Sequence, residues 1–316
     1  MKKTTLLIFL ICFFTYANIL AQTADSLYVY SQIAGKALYD KNYQKAETNY
    51  ENVLRLDPNN FNAIKSLGLI FSATGDQIKA KEFFERAYTM NNNDHDVCNN
   101  LGVLFSEEKN SNQSITYFEK AVSLSPTNAL YLTNLGQEYS KIQQFGKALE
   151  LLHKSDSLQP NNAVTLFNLA NAYASSKNAP QAELYYEKCL AIDSTNKEVT
   201  YFLASIKRIL GKYDEAERLY LSLLETDPTN LKLIMSLGII YSLQQEYSKA
   251  ATQYEKILEL DPTMVNAKIS LGASYSLAGN LQKGDEILQQ LFAQDSSLGF
   301  HMLDILKREY AKNNKK

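Results

Sequence analysis

The sequence is poor in the groups that most enzymes use. It has three histidines, His95, His153 and His301, and none stands at ligand spacing from another or from a cysteine, so a metal centre has no donor set to start from. No glycine-rich phosphate loop occurs; the twelve glycines recur singly, several at inter-helix turns such as Gly75, Gly211 and Gly279. Acidic residues are scattered, and no acid/base pair can be assembled from them. No run of lysine and arginine is interleaved with aromatics, which argues against a nucleic-acid partner. Together these absences predict no enzyme, no cofactor and no metal.

The N-terminus carries a different signal. Lys2 and Lys3 precede an apolar run from Leu6 to Phe14, after which Tyr16 to Ala21 turn smaller and more polar. A charged start, a short apolar stretch and a small residue at the cut form the secretory pattern, so residues 1–21 read as a signal peptide cleaved after Ala21. The run is too short for a comfortable spanning helix, and no membrane span is expected after cleavage. One alternative is retention as an anchor. Another is a lipidated Cys12, against which stand Leu10 and Ile11 where small residues are normally needed. Cleavage removes Lys2 and Lys3 and no acid, leaving 30 basic and 34 acidic side chains and a net charge of −4. The expected location is therefore exported: periplasmic, attached to the cell envelope, or secreted.

Periodicity dominates the rest. Pro126 and Pro160 lie 34 residues apart, as do Pro228 and Pro262, and Pro58 lies two periods before Pro126. A Leu-Gly or Leu-Ala pair recurs in the same phase, from Leu67-Gly68 through Leu101-Gly102, Leu135-Gly136, Leu169-Ala170, Leu203-Ala204 and Leu237-Gly238 to Leu271-Gly272. Three residues further an aromatic usually follows, as at Phe71, Phe105, Tyr139, Tyr173, Tyr241 and Tyr275. A second small residue comes twelve positions after the first, for example Ala80, Ser114 and Ala148, with a bulky residue such as Phe84, Phe118 or Leu152 four positions on. Apolar residues three and four apart define one face of a helix, so each period holds two amphipathic helices. Small residues let the paired helices approach, and the proline ends the second helix. No pair can bury its outer face alone, so neighbours must stack.

This pattern resembles the tetratricopeptide repeat family over residues 27–298, in eight units without insertion: 27–60, 61–94, 95–128, 129–162, 163–196, 197–230, 231–264 and 265–298. The resemblance implies an all-α, right-handed α-solenoid of helix-turn-helix repeats. Residues 22–26 form a short leading segment. Residues 299–316 read as a capping helix, its apolar stripe made by Phe300, Leu303, Leu306 and Tyr310, followed by a basic tail at Lys315–Lys316. Departures from the family include the missing tryptophan at the fourth position, a worn eighth unit, and Lys207 in an aromatic slot. An unpaired buried ammonium is costly, so Lys207 is expected to bury its stem and send its head to solvent, or to sit on a slightly rotated helix. Cys98 and Cys189 fall about three repeats apart on different helices. Packed helices stand roughly 8–10 Å apart and a disulfide needs Cα atoms within about 7 Å, so both should remain buried thiols.

In the family the first helix of each unit lines a concave groove that receives peptides or partner helices, and the resemblance implies the same here. The well-known clamp for a terminal carboxylate is incomplete: Lys65 and Asn100 are present, but Leu69, Leu130 and Asn134 occupy the other places. The groove offers instead the amides Asn99, Asn100, Asn134, Gln137, Asn168 and Asn171, which can donate to and accept from an extended backbone. Beside them stand Phe167, Tyr201, Phe202 and Arg208, residue types that anchor interfaces. The expectation is a scaffold binding a protein or peptide. The alternatives are a holdase for extended polypeptides and a module for cell-wall carbohydrate.

Overall fold

The computed structural model describes residues 22–313; residues 1–21, where a signal peptide is expected, and the Lys315–Lys316 tail lie outside the described residues. Every regular element among those described is an α-helix. The chain forms two compact units, divided between Pro160 and Asn161. In the first, α1 (22–39) is followed by α2 (Tyr43–Leu56), α3 (Phe61–Thr74), α4 (Gln77–Met90), α5 (His95–Glu107), α6 (Ser111–Leu124), α7 (Ala129–Lys141) and α8 (Phe145–Leu158). The second holds α9 (Ala163–Ser175), α10 (Ala179–Ile192), α11 (Lys197–Ile209), α12 (Tyr213–Thr226), α13 (Leu231–Leu243), α14 (Tyr247–Leu260), α15 (Val265–Leu277), α16 (Leu281–Gln294) and α17 (Ser296–Asn313). Within each unit consecutive helices pack on one another, odd with even as hairpins and hairpin on hairpin as a solenoid-like stack.

Two backbone features recur with the period. At twelve helix starts among the described residues the preceding residue is Asn or Asp, and its side-chain oxygen accepts a first-turn N–H, from Asn42 and Asn60 through Asn280 and Asp295. Each such cap contributes about 1 kcal/mol by pairing an otherwise unsatisfied donor, which explains the asparagines of the turns. Between the two helices of every pair one residue is left-handed: Lys41, Gly75, Lys109, Gln143, Lys177, Gly211, Gln245 and Gly279. Glycine holds three of these eight places, although the conformation favours it at all of them.

The small-residue markers do what their spacing implies. A Cβ on Gly102 would come within 2.6 Å of the Phe118 ring, and one on Gly238 within 2.6 Å of Tyr254. The paired helices are therefore as close as a large side chain allows. Leu67, Leu101, Phe84 and Phe118 are buried in the first unit, and Leu237, Ile234 and Tyr254 in the second. Cys98 in α5 and Cys189 in α10 are buried free thiols. Burial pushes the Cys189 thiol up to about 11.

Hairpins are joined by a recurring polar contact. The hydroxyls of Tyr139, Tyr241 and Tyr275 donate to Glu119, Glu217 and Glu255, each on the second helix of the preceding hairpin. Lys207 occupies the equivalent slot on α11 and corrects the expectation of a solvent-exposed head. Its side chain is 7% exposed, and Nζ lies 2.7 Å from Glu183, 2.9 Å from Glu187 and 2.7 Å from Glu215. Glu183 also takes Lys212 at 2.7 Å. Burial by itself would lower the Lys207 ammonium, but bonds to Glu183, Glu215 and Glu187 overcome this and raise it. The head stays inside because three carboxylates replace its water.

The last helix also differs from expectation. α17 begins at Ser296 and packs on α15 and α16 through Leu298, Met302, Ile305 and Leu306. Phe300, Leu303 and Tyr310 are 63%, 39% and 48% exposed, so of the expected stripe only Leu306 faces inward. The cause is local: Gly272 leaves a gap in α15, and Met302 fills it so closely that a Cβ there would meet its sulfur at 2.7 Å. That anchor turns the Phe300 face outward.

Candidate functional site

The first turns of successive first helices leave small hollows between them, and what fills each hollow depends on the fifth residue of the repeat. Between α3 and α5 that residue is Lys65, whose Nζ reaches Asp94 at 3.0 Å and Asp96 at 2.7 Å. Asp96 in turn accepts from the Tyr131 hydroxyl at 2.5 Å, and His95 Nδ1 lies 2.8 Å from that hydroxyl oxygen. Burial would lower the Lys65 ammonium; its bonds to the two aspartates raise it instead. The one lysine that matched a carboxylate clamp is thus already neutralised within the chain.

The amides of the first unit are partly self-satisfied. Asn99 is buried and its Oδ1 accepts from Asn134 Nδ2 at 2.8 Å. Asn134 and Gln137 line a hollow of about 260 Å³ together with Val103, Glu138 and Lys141. Asn100 is half-buried nearby on α5. Glu138 went unnoticed in the sequence: it is buried, accepts from Ser106 Oγ at 2.7 Å and pairs with Lys141 at 2.8 Å. Burial pushes its carboxyl up, yet bonds from Lys141, Ser111 and Ser106 hold it below the usual carboxylate range. A signal for it existed, since Ile70, Leu104, Ala172, Ile206 and Ile240 hold the equivalent place in five of the other seven repeats, Lys36 and Ser274 in the two terminal ones.

In the second unit the aromatics form a connected series. Phe167 lies 6.1 Å from Tyr186 and 5.9 Å from Phe202 between ring centroids, and Phe202 lies 5.8 Å from Tyr201. Lys232 Nζ sits 4.1 Å from the Tyr201 centroid, a cation–π contact. Asn171 accepts from the Tyr186 hydroxyl at 2.6 Å. Asn168 is buried, and its Nδ2 has no partner among the described residues. A hollow of about 230 Å³ opens between α9 and α11 beside Phe167, and one of about 390 Å³ between α11 and α13 beside Tyr201 and Phe202. Arg208, half-buried further along α11, lines neither of these two hollows. Among the described residues no group of three or more His, Cys, Asp or Glu side chains is placed to hold a metal ion. No described helix is long and apolar enough to cross a membrane.

Two family models, each described as tetratricopeptide repeat, match the sequence, one at 66–94, 95–128, 129–162 and 163–196, the other at 203–265. The chain belongs to the tetratricopeptide repeat family. Tetratricopeptide repeats generally mediate protein–protein interaction. No curated protein matches the sequence. Among solved structures, PilW, described as a widely conserved type IV pilus biogenesis factor, is 24% identical with a TM-score of 0.58, covering 64% of this chain and 94% of its own. YrrB, described as a TPR protein with an unusual peptide-binding site, is 21% identical with a TM-score of 0.51, covering 59% and 97%. The C-terminal part of a TPR protein from Cytophaga hutchinsonii is 16% identical with a TM-score of 0.58, covering 76% and 98%. At these identities the likeness is one of fold.

Proposed function

We propose that this tetratricopeptide repeat chain is an exported, non-catalytic scaffold of the cell envelope that binds a peptide segment of another protein on its first-helix face. The carrying observation is the half-buried aromatic series Phe167, Phe202 and Tyr201 beside open hollows in the second unit. Rigid rings next to vacant, side-chain-sized space are what interface anchors require. The charged groups that would otherwise be free to act chemically are tied internally: Lys65 to two aspartates, Glu138 to Lys141, Lys207 to three glutamates. The unusual peptide-binding site for which YrrB is described and the pilus biogenesis for which PilW is described agree with this reading. Export rests on the charged start and the apolar run within residues 1–21.

Two measurements test it. Intact-mass analysis of a C-terminally tagged product from fractionated cells should find a chain beginning at Gln22 outside the cytosol; a cytosolic product retaining residues 1–21 refutes export. Capture from envelope extracts should give one stoichiometric protein, lost when Asn100, Asn134 and Asn168 are together replaced by Ala. Persistence of capture by that folded variant refutes the amides as part of the site, and a broad client mixture would favour a holdase.

A further inference from the structure

The two hollows of the second unit are the same site repeated. Val164, Phe167, Glu198 and Val199 of the first correspond, 34 residues on, to Glu198, Tyr201, Lys232 and Leu233 of the second. Glu198 borders both. Around the first hollow the charged side chains are acidic only, Asp193 and Glu198, whereas the second adds Lys197 and Lys232. Asp193 is engaged with Thr195, and Asp227 of the second hollow with Asn230, which leaves Glu198, exposed on the first turn of α11, as the carboxylate facing the step between the hollows.

Taken with the peptide-site reading on which it rests, we infer that these hollows read an extended segment carrying two apolar side chains three residues apart, with a lysine or arginine between them directed at Glu198. The spacing decides the conformation. Side-by-side helices stand roughly 8–10 Å apart. A polyproline II chain brings residues i and i+3 to the same side at about 9 Å. A β-strand offers same-face pairs only at about 7 or 13 Å. A partner α-helix could present i and i+7 at about 10 Å, but its carbonyls are bonded internally. Asn196, which lines the first hollow and spends only its oxygen on capping α11, keeps its amide N–H donors for a ligand with a free carbonyl, which the extended chain has.

The probe is a fluorescein-labelled, proline-rich peptide with Leu, Pro, Lys and Leu in consecutive places, titrated with the purified chain by fluorescence anisotropy. Moving the leucines to spacings of two or four should weaken binding by about tenfold or more, the loss of one buried leucine. Replacing the peptide lysine by glutamate should weaken it by about fivefold, the scale of an exposed ion pair reversed. In the protein, E198K should reverse that preference and favour the glutamate peptide, a readout that misfolding cannot mimic. Equal affinity for all spacings, or a preference unmoved by E198K, overturns the inference. Tighter binding of a helical peptide with leucines seven apart also overturns it, but leaves the peptide-site reading standing. If no peptide binds while the Asn100, Asn134 and Asn168 variant still captures its partner, both fall.

Discussion

Replacing Lys207 by Met tests whether the stack depends on its polar joints. Methionine keeps the length and apolar stem but removes the charge. Glu183, whose side chain is 11% exposed, would then keep only Lys212, itself 44% exposed. Breaking a buried pair costs about 3–5 kcal/mol when the remaining charge is sealed in. Glu187 and Glu215 are about half exposed and can rehydrate, so the expected loss lies near the lower bound, about 3 kcal/mol. Urea unfolding would measure it, and hydrogen exchange should place faster opening at α10, α11 and α12. Lys207→Tyr should cost less, because the tyrosines of other repeats already bond a glutamate from this slot. The pH dependence has a definite sign. Bonds from Lys207 and Lys212 outweigh burial and hold the Glu183 carboxyl below its ordinary value. Its contribution is therefore present above about pH 4.3 and is lost as pH falls through the lower folded value. The Lys207 ammonium is raised, so its contribution is complete below about pH 10.4 and is lost only above that. The gap between wild type and Lys207→Met should be flat near neutrality and shrink below about pH 4. A gap under about 1 kcal/mol, or one removed by molar salt, would refute a buried network.

Two further outcomes follow from the backbone. Gly102→Ala should destabilise by about 1–2 kcal/mol, since overpacking against Phe118 outweighs the helix propensity gained, whereas Gly35→Ala, with nothing nearer than 3.9 Å, should stabilise by about 0.5–1 kcal/mol; paired urea curves compare them, and equal signs would contradict the close approach. Lys109→Gly, at φ 59°, should raise stability by about 0.5–1 kcal/mol as left-handed strain is relieved, and a lower denaturation midpoint would count against that reading.

What the sequence made legible was whatever the backbone demands at fixed intervals. Gly68, Gly102 and Gly238 mark close approach because a Cβ there would meet Phe84, Phe118 or Tyr254 at 2.8 Å or less, so the layout of the helix pairs follows from the spacing of small residues alone. Side-chain partnerships were harder, because a charge in the sequence does not say what it meets. Lys207 looked misplaced, yet its partners stand one hairpin back, at Glu183 and Glu187. Glu187 is in register with the Glu119 and Glu255 that accept from Tyr139 and Tyr275. The rule was therefore present: an acid on the preceding second helix lets the slot accept either a phenol or an ammonium. The face of α17 was not decidable the same way, since both of its stripes are apolar and only the gap at Gly272 selects Met302 over Phe300.

The binding surface is the least legible part, for a reason that also gives it meaning. A hollow is a place that side chains fail to fill, and failure to fill depends on residues two helices away. The fifth residue of the second repeat, Lys65, closes its step by pairing with Asp94 and Asp96. The same position holds Phe167 and Tyr201 in the fifth and sixth repeats, where rings wall the step and leave it open. One position thus switches a repeat between a sealed joint and a receptive one. Substituting Phe167 or Tyr201 by lysine should not seal those steps in the same way. The partners of Lys65 sit at the cap and the second residue of the next first helix. In the fifth and sixth repeats the cap places hold Asn196 and Asn230, and only Glu198 among the two second places carries the needed charge.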